Sequence, residues 1–425
     1  MQTPAVFFHF KILIMNRKNL YLLLALTSIL AVAMMHYYHG SFAYDSFRYM
    51  KNANYIIGNE SSYDPRAIGL FPFFIAPFVS NFLILYLFYS IVTFLSLLII
   101  VKIVDFFEPQ NQEYILFFVI PSYATYILTS VLQEAFALLF ISLAIYYLLR
   151  KKYTTAMCLA TLCALSRPAM IAFLPGFVLA LLFHKYLFDK INSKNYFASL
   201  YNSIRDNFQK IFIDGLFCIL IFITGIVLYI ILFSFFFSDP FISYKILSSH
   251  WDFDWKFIIV YPLFWFSLFG ILFSPAIAFC YYKIYKLDKR WFFFFVLMFI
   301  PYMLLIWYQA NIRYVIYLIV PIMLGFSKID LSSFKNYTKS LIFIWFVFST
   351  LYIYGPIVYS FEPGINQRVI SFNYKPFIYF DSENKSDQYK YFCNLKNKSE
   401  YSEADNVILK NRAYILEFLD KYVCK

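Results

Sequence analysis

Residues 82–101, FLILYLFYSIVTFLSLLIIV, run for twenty positions without a charge. A helix of that length matches the hydrocarbon thickness of a bilayer, and few soluble cores need one so apolar. Such runs recur, and we read eleven spans at residues 20–38, 81–104, 113–130, 132–149, 153–166, 168–186, 211–237, 257–281, 291–308, 312–326 and 339–357. Only 14% of residues are charged, against about 25% in soluble domains. The expected fold class is an all-α polytopic membrane protein with about eleven transmembrane helices (10–13), because lipid leaves the backbone no other open-chain solution. A barrel would show ten-residue segments of alternating polarity, and the sequence has none.

The basic residues orient these spans. The net charge of +12 invites a nucleic-acid reading, but the Lys and Arg residues sit in short loops between apolar runs, where they set topology. Nineteen fall on one side of the layout, including Lys102, Arg150–Lys152, Lys185, Lys190, Lys283–Arg290 and Lys328. Seven fall on the other before the tail. Residues 1–19 are therefore expected to be cytoplasmic, 20–357 to form the membrane domain with a first external loop at 39–66, and 358–425 to form an extracytoplasmic tail. The prolines in AIGLFPFFIAPFVS (67–80) mark an interfacial or re-entrant segment. Residues 153–186 are too long for one upright span and short for two; keeping RKK (150–152) inside favours two.

This layout brings ionisable groups from five loops to the outer side: Asp45, Arg48, Asp64 and Arg66; Glu134, beside the polar Gln133; Arg167; His250, Asp252 and Asp254; and Arg313. A charge at a span centre costs about 2.5–3.5 kcal/mol on insertion scales, so a one-sided collection reads as a candidate site. Each residue also has a plainer explanation. Asp45 precedes a short helix, Ser46 to Ile57 stopped by Gly58, and suits its N-cap. Arg167 and Arg313 suit interfacial anchors, Glu134 suits a helix start, and Asp64 in SSYDPR suits a turn. The acids of DFD (252–254) are a weak signal for a divalent cation.

Three stretches carry a family resemblance. YDSFRYMKNA, ALSRPAMIAFLP and NIRYVIYLIVP are similar, in order and side, to elements of the GT-C glycosyltransferases. These are multispanning enzymes that take a sugar from a polyprenyl-phosphate carrier on the extracytoplasmic or luminal face. The resemblance spans roughly residues 20–326 as sparse motifs. It implies an inverting, mannosyltransferase-like hexosyltransferase with Asp45 as general base and Arg167, Arg313 and Tyr49 at the lipid phosphate and donor. His250, Trp251, Asp252 and Asp254 would line an acceptor or donor groove. The implied partners are a polyprenyl-phosphate-linked sugar donor, a glycan, lipid or protein acceptor, and membrane lipids, with no nucleic acid. The first loop lacks the second acid found beside the base in several branches, which leaves metal use open: no metal ligands are assigned, and a divalent cation is the one cofactor considered.

The chemistry agrees with the residue types. A carboxylate can take the acceptor's proton, and arginine matches an anionic phosphate. The chain has only ten glycines and no glycine-rich phosphate loop. Two other readings remain: a polymerase or ligase of lipid-linked oligosaccharides, and a lipid-linked-glycan transporter. The transporter ranks last because the spans hold almost no mid-span charge. A bacterial inner membrane is the favoured location over the endoplasmic reticulum. Met15 resembles a natural start, no signal-peptide cleavage site follows Leu20–Tyr38, and residues 404–423 read as an amphipathic helix. Cys158, Cys163, Cys218 and Cys280 are expected as small core residues. Cys393 and Cys424 could pair in an oxidising compartment.

Overall fold

The computed structural model describes residues 21–22, 24–26, 28–29, 44–67, 69–109, 133–191, 196–239, 271–309, 317–328, 358–360 and 369–371. The stretch read as the first external loop contains helix α1, Tyr44–Ile56. Gly58 ends it in the left-handed region at φ 81°, where glycine carries no Cβ penalty. The Gly58 N–H reaches the Tyr55 carbonyl at 3.1 Å, and the Asn59 N–H reaches that of Asn54 at 2.8 Å. The Pro-containing segment is broken into a 3₁₀ turn at Pro65–Ala67, the six-residue α2 at Leu70–Ile75, and a second 3₁₀ turn at Ala76–Phe78. Asn81 then caps α3, Phe82–Asp105, by accepting from the N–H groups of Leu83 and Ile84.

Helices α4 (Glu134–Leu149) and α5 (Tyr153–Ser166) form a hairpin. Lys151 takes the left-handed turn position at φ 59°. The long stretch after it resolves into two arms. The chain breaks at Arg167–Pro168, where proline disfavours helix in the residue before it. A 3₁₀ turn (Pro168–Ala172), α6 (Phe173–Leu182) and a π-helical turn (Phe183–Leu187) follow. The Tyr153 hydroxyl lies 3.4 Å from Nδ1 of His184, so the second arm folds back along the first.

Helix α7, Tyr196–Ser234, has 39 residues and is roughly 58 Å long at 1.5 Å per residue. That is about twice the hydrocarbon thickness. Only residues 211–237 were expected as span; the polar stretch before them continues the same helix. Helices α8 (Ile271–Leu287), α9 (Lys289–Gln309) and α10 (Ile319–Ser327) follow. A short antiparallel strand pair, β1 (Val358–Ser360) and β2 (Val369–Ser371), pairs Tyr359 with Ile370. No strands were expected in this tail.

Among the described residues, three helical stretches are long and apolar enough to cross a membrane: Leu83–Asp105, Pro168–Leu187 and Ala198–Ser234. Of the eleven expected spans, 113–130 and 339–357 lie outside the described residues, and 20–38, 257–281 and 312–326 do so in part. The third stretch is only 17% buried across its most apolar window, against 56% for the other two. Most of its apolar surface is therefore left uncovered by the described residues.

Contacts divide the helix ends into two sets. At the basic end, Trp291 packs on Phe107 at 4.7 Å and on Phe188 at 4.3 Å. There Lys328 donates to the Glu108 carbonyl at 2.6 Å, and Lys190 donates to Asn207 at 2.9 Å. Lys185 pairs with Asp214, and Lys151 lies 3.7 Å from Asp189. Lys283, Lys286 and Lys289 each fold over the aromatic ring one turn back, Phe279, Tyr282 and Tyr285, as cations do at an apolar–aqueous boundary. At the far end, the Tyr63 hydroxyl lies 2.7 Å from that of Ser238, and Phe71 packs on Phe136 at 5.5 Å.

Small residues permit the closest helix crossings. A Cβ on Gly176 of α6 would collide with the carbonyl oxygens of Leu297 and Met298 on α9. A Cβ on Gly325 of α10 would collide with the backbone of Cys280 on α8. Cys163, Cys218 and Cys280 are buried as expected, but Cys158 is exposed; Cys393 and Cys424 lie outside the described residues.

Candidate functional site

The far end of the α4–α5 hairpin holds a buried ion pair. Glu134 is the first residue of α4 and Arg167 directly follows α5. The two stand at nearly equal distance along the chain from the Arg150–Lys152 turn, so an antiparallel hairpin brings them level. Helix dipoles favour both placements, an acid at one N-terminus and a cation at one C-terminus. Nη1 of Arg167 lies 2.6 Å from Oε1 of Glu134, with side-chain exposures of 3% and 1%. At this burial the charges hold only as a pair, since either alone would meet the full desolvation penalty.

Tyr317 completes the cluster. Nη1 of Arg167 also donates to its hydroxyl at 2.9 Å, and the guanidinium carbon lies 5.5 Å from the centre of its ring. The ring stands edge-on to Tyr302 at 5.7 Å. One guanidinium thus ties together α4, the α5–α6 break and the start of α10. Helix α4, 16 residues long, spans about 24 Å. The cluster therefore stands about that distance from the Arg150–Lys152 turn at the other end of the hairpin.

Helix α1 lies at this same end. Tyr49 is buried and meets Phe71 edge-on at 4.9 Å. Phe71 in turn contacts Tyr89 at 6.2 Å and Phe136 at 5.5 Å, two residues from Glu134. The loop is anchored locally as well. The Asn52 amide brackets the Asp64 backbone, donating to its carbonyl at 2.9 Å and accepting from its N–H at 2.7 Å. Nε of Arg48 lies 3.5 Å from the Asp64 carboxylate. Asp64 thus has the turn role expected of it. Asp45 stands in the first turn of α1, one residue inside the helix rather than at the expected cap.

The described residues bring together Arg167 and Tyr49 of the expected site, on the end that also carries Asp45. Arg167 was expected to face a lipid phosphate; its guanidinium is already matched by Glu134 and Tyr317. Arg313, His250, Trp251, Asp252 and Asp254 lie outside the described residues. Sequence reasoning counted Glu134 among the outer-side groups and as a helix start, without a partner, and passed over Tyr317. The spacing of Glu134 and Arg167 about the basic turn was the available signal for their pairing, but no periodicity announces Tyr317. Among the described residues no group of three or more His, Cys, Asp or Glu side chains is placed to hold a metal. No protein-family model, curated protein or solved structure matches this chain.

Proposed function

We propose that the chain is an integral-membrane glycosyltransferase that moves a sugar from a polyprenyl-phosphate carrier to an acceptor hydroxyl at the far, non-cytoplasmic end of its helices. The observation that carries this reading is the shared location of α1, which bears Asp45, and the Glu134–Arg167–Tyr317 cluster. In the proposed reaction the acceptor oxygen bonds to the anomeric carbon as the bond from that carbon to the phosphate oxygen breaks. The acceptor proton passes to the Asp45 carboxylate, and the electron pair leaves with the lipid phosphate. By the family resemblance, Arg313 and Arg167 are the candidate cations for such a phosphate. The basic end, with its cations folded over aromatic rings, is the cytoplasmic one on this reading.

The test incubates purified protein with a panel of polyprenyl-phosphate sugars and measures released lipid phosphate. Wild type should release it with at least one donor. Asp45→Asn should lower the rate by about 10²-fold or more while inserting normally. Full activity in that variant rejects Asp45 as the base, and no release from any donor rejects the reading. One observation favours a second reading, transport of a lipid-linked glycan: Glu134 and Arg167 are ionisable groups buried among apolar helices, where such groups often mark substrate paths. Flipping of a labelled lipid-linked sugar in liposomes with no acceptor would support that alternative.

A further inference from the structure

We infer that the end of α8 and the start of α9 form a docking surface for anionic phospholipid headgroups, built from Lys283, Lys286 and Lys289 and the rings beside them. The inference needs the helices to cross a bilayer and does not depend on the transfer reading above. Helix α8 has two faces here. Cys280, Tyr281 and Ile284 are buried, and the close approach of Gly325 to Cys280 sets α10 against that side. Phe279, Tyr282, Lys283 and Lys286 follow the i, i+3, i+4, i+7 spacing of one other face, on which Phe279, Tyr282 and Lys286 are exposed. The Nζ atoms of Lys283, Lys286 and Lys289 lie 5.3, 5.5 and 5.5 Å from the ring centres of Phe279, Tyr282 and Tyr285. Three ammonium groups are thus gathered along α8, each beside an aromatic ring, and tyrosine is enriched at headgroup level. What separates them from other cations at this end is the lack of an acid. Lys185 pairs with Asp214, and Lys151 with Asp189. Asp288 is the one acid between Ile271 and Gln309, and Arg290 holds it with its backbone N–H at 2.8 Å, Nε at 3.0 Å and Nη2 at 2.7 Å. Among the described residues no acid pairs with Lys283, Lys286 or Lys289. Exposed rings beside uncompensated cations fit a phosphate carried on a glycerol and acyl chains: the lysines meet the charge and the rings meet the apolar part. A free phosphate would use the lysines and leave the rings without a role.

The test places the full-length protein in phosphatidylcholine vesicles doped with phosphatidylglycerol that carries a photoreactive headgroup, or with phosphatidylcholine that carries the same group. Crosslinks to peptides containing residues 278–290 are counted by mass. The anionic probe should label them at least about fivefold more than the zwitterionic one, and added salt should reduce the difference. Changing Lys283, Lys286 and Lys289 together to Gln should lower the anionic yield by about tenfold or more, whereas changing all three to Arg should keep it within about twofold. Neutralising three cations elsewhere at the basic end, by Lys152→Gln, Arg205→Gln and Lys210→Gln, should also leave it within about twofold, since charges beyond a Debye length are screened. If the triple Gln variant unfolds early, the exposed single change Lys286→Gln carries the test, with a loss of about threefold or more expected. Equal labelling by the two probes, an unchanged yield in the Gln variants, or the same loss in the distant variant would each overturn the inference. Displacement of the probe by inorganic phosphate at matched ionic strength would overturn it too, because the ligand would then be a free phosphate.

Discussion

A carboxylate and a guanidinium 2.6 Å apart inside apolar packing determine how this protein responds to single substitutions. Glu134→Ala or Arg167→Ala would each leave one charge buried without its partner, at a cost of about 3–5 kcal/mol. Replacing both with apolar residues of similar volume, as in Glu134→Leu with Arg167→Met, should cost far less than the sum of the single changes. A thermal-unfolding double-mutant cycle in detergent measures that coupling; additive effects would mean that the pair is not formed. At this scale the sequence was informative about single roles and poor about partnerships. The helix-forming stretch ended by Gly58 and the turn at Asp64 are local and were readable from their neighbours. Tyr317 is a long-range partner, 150 residues from Arg167, and nothing near it in sequence distinguishes it from the other tyrosines.

The elements depend on two kinds of close fit. Gly176 and Gly325 let backbones approach where a Cβ would collide with main-chain atoms. Gly176→Ala and Gly325→Ala should each destabilise by about 1–3 kcal/mol, the usual cost of overpacking, read as a lowered unfolding midpoint. Gly58→Ala should also destabilise, by roughly 1 kcal/mol, since its φ of 81° strains a residue that has a Cβ. The α5–α6 region explains why span boundaries are hard to draw from hydropathy. Residues 153–186 form one apolar block, and only the Arg167–Pro168 break and the Tyr153–His184 contact make it two arms. In α7 the reading fell short, because a polar stretch looks like loop but continues the helix, the span beyond it supplying an already nucleated end.

Across the whole molecule, the contacts sort residues by end as the distribution of basic residues does. Lys151, Lys185, Lys190, Arg290 and Lys328 have their partners among one another's neighbours, whereas Glu134, Arg167, Tyr63 and Ser238 meet partners at the other end. Charge counting reads this directly, because it depends on loop composition alone. The site itself was legible only as a set of loops sharing a side, since contacts between helices depend on packing that hydropathy does not encode. The central claim is that Asp45 and Arg313 share the side opposite Lys151. The direct measurement places single cysteines at positions 45, 313 and 151 of a cysteine-free chain and labels each with a membrane-impermeant thiol reagent in sealed vesicles of known orientation. Positions 45 and 313 should label from the same side, and position 151 only after permeabilisation. Labelling of 45 and 313 from opposite sides would contradict the account.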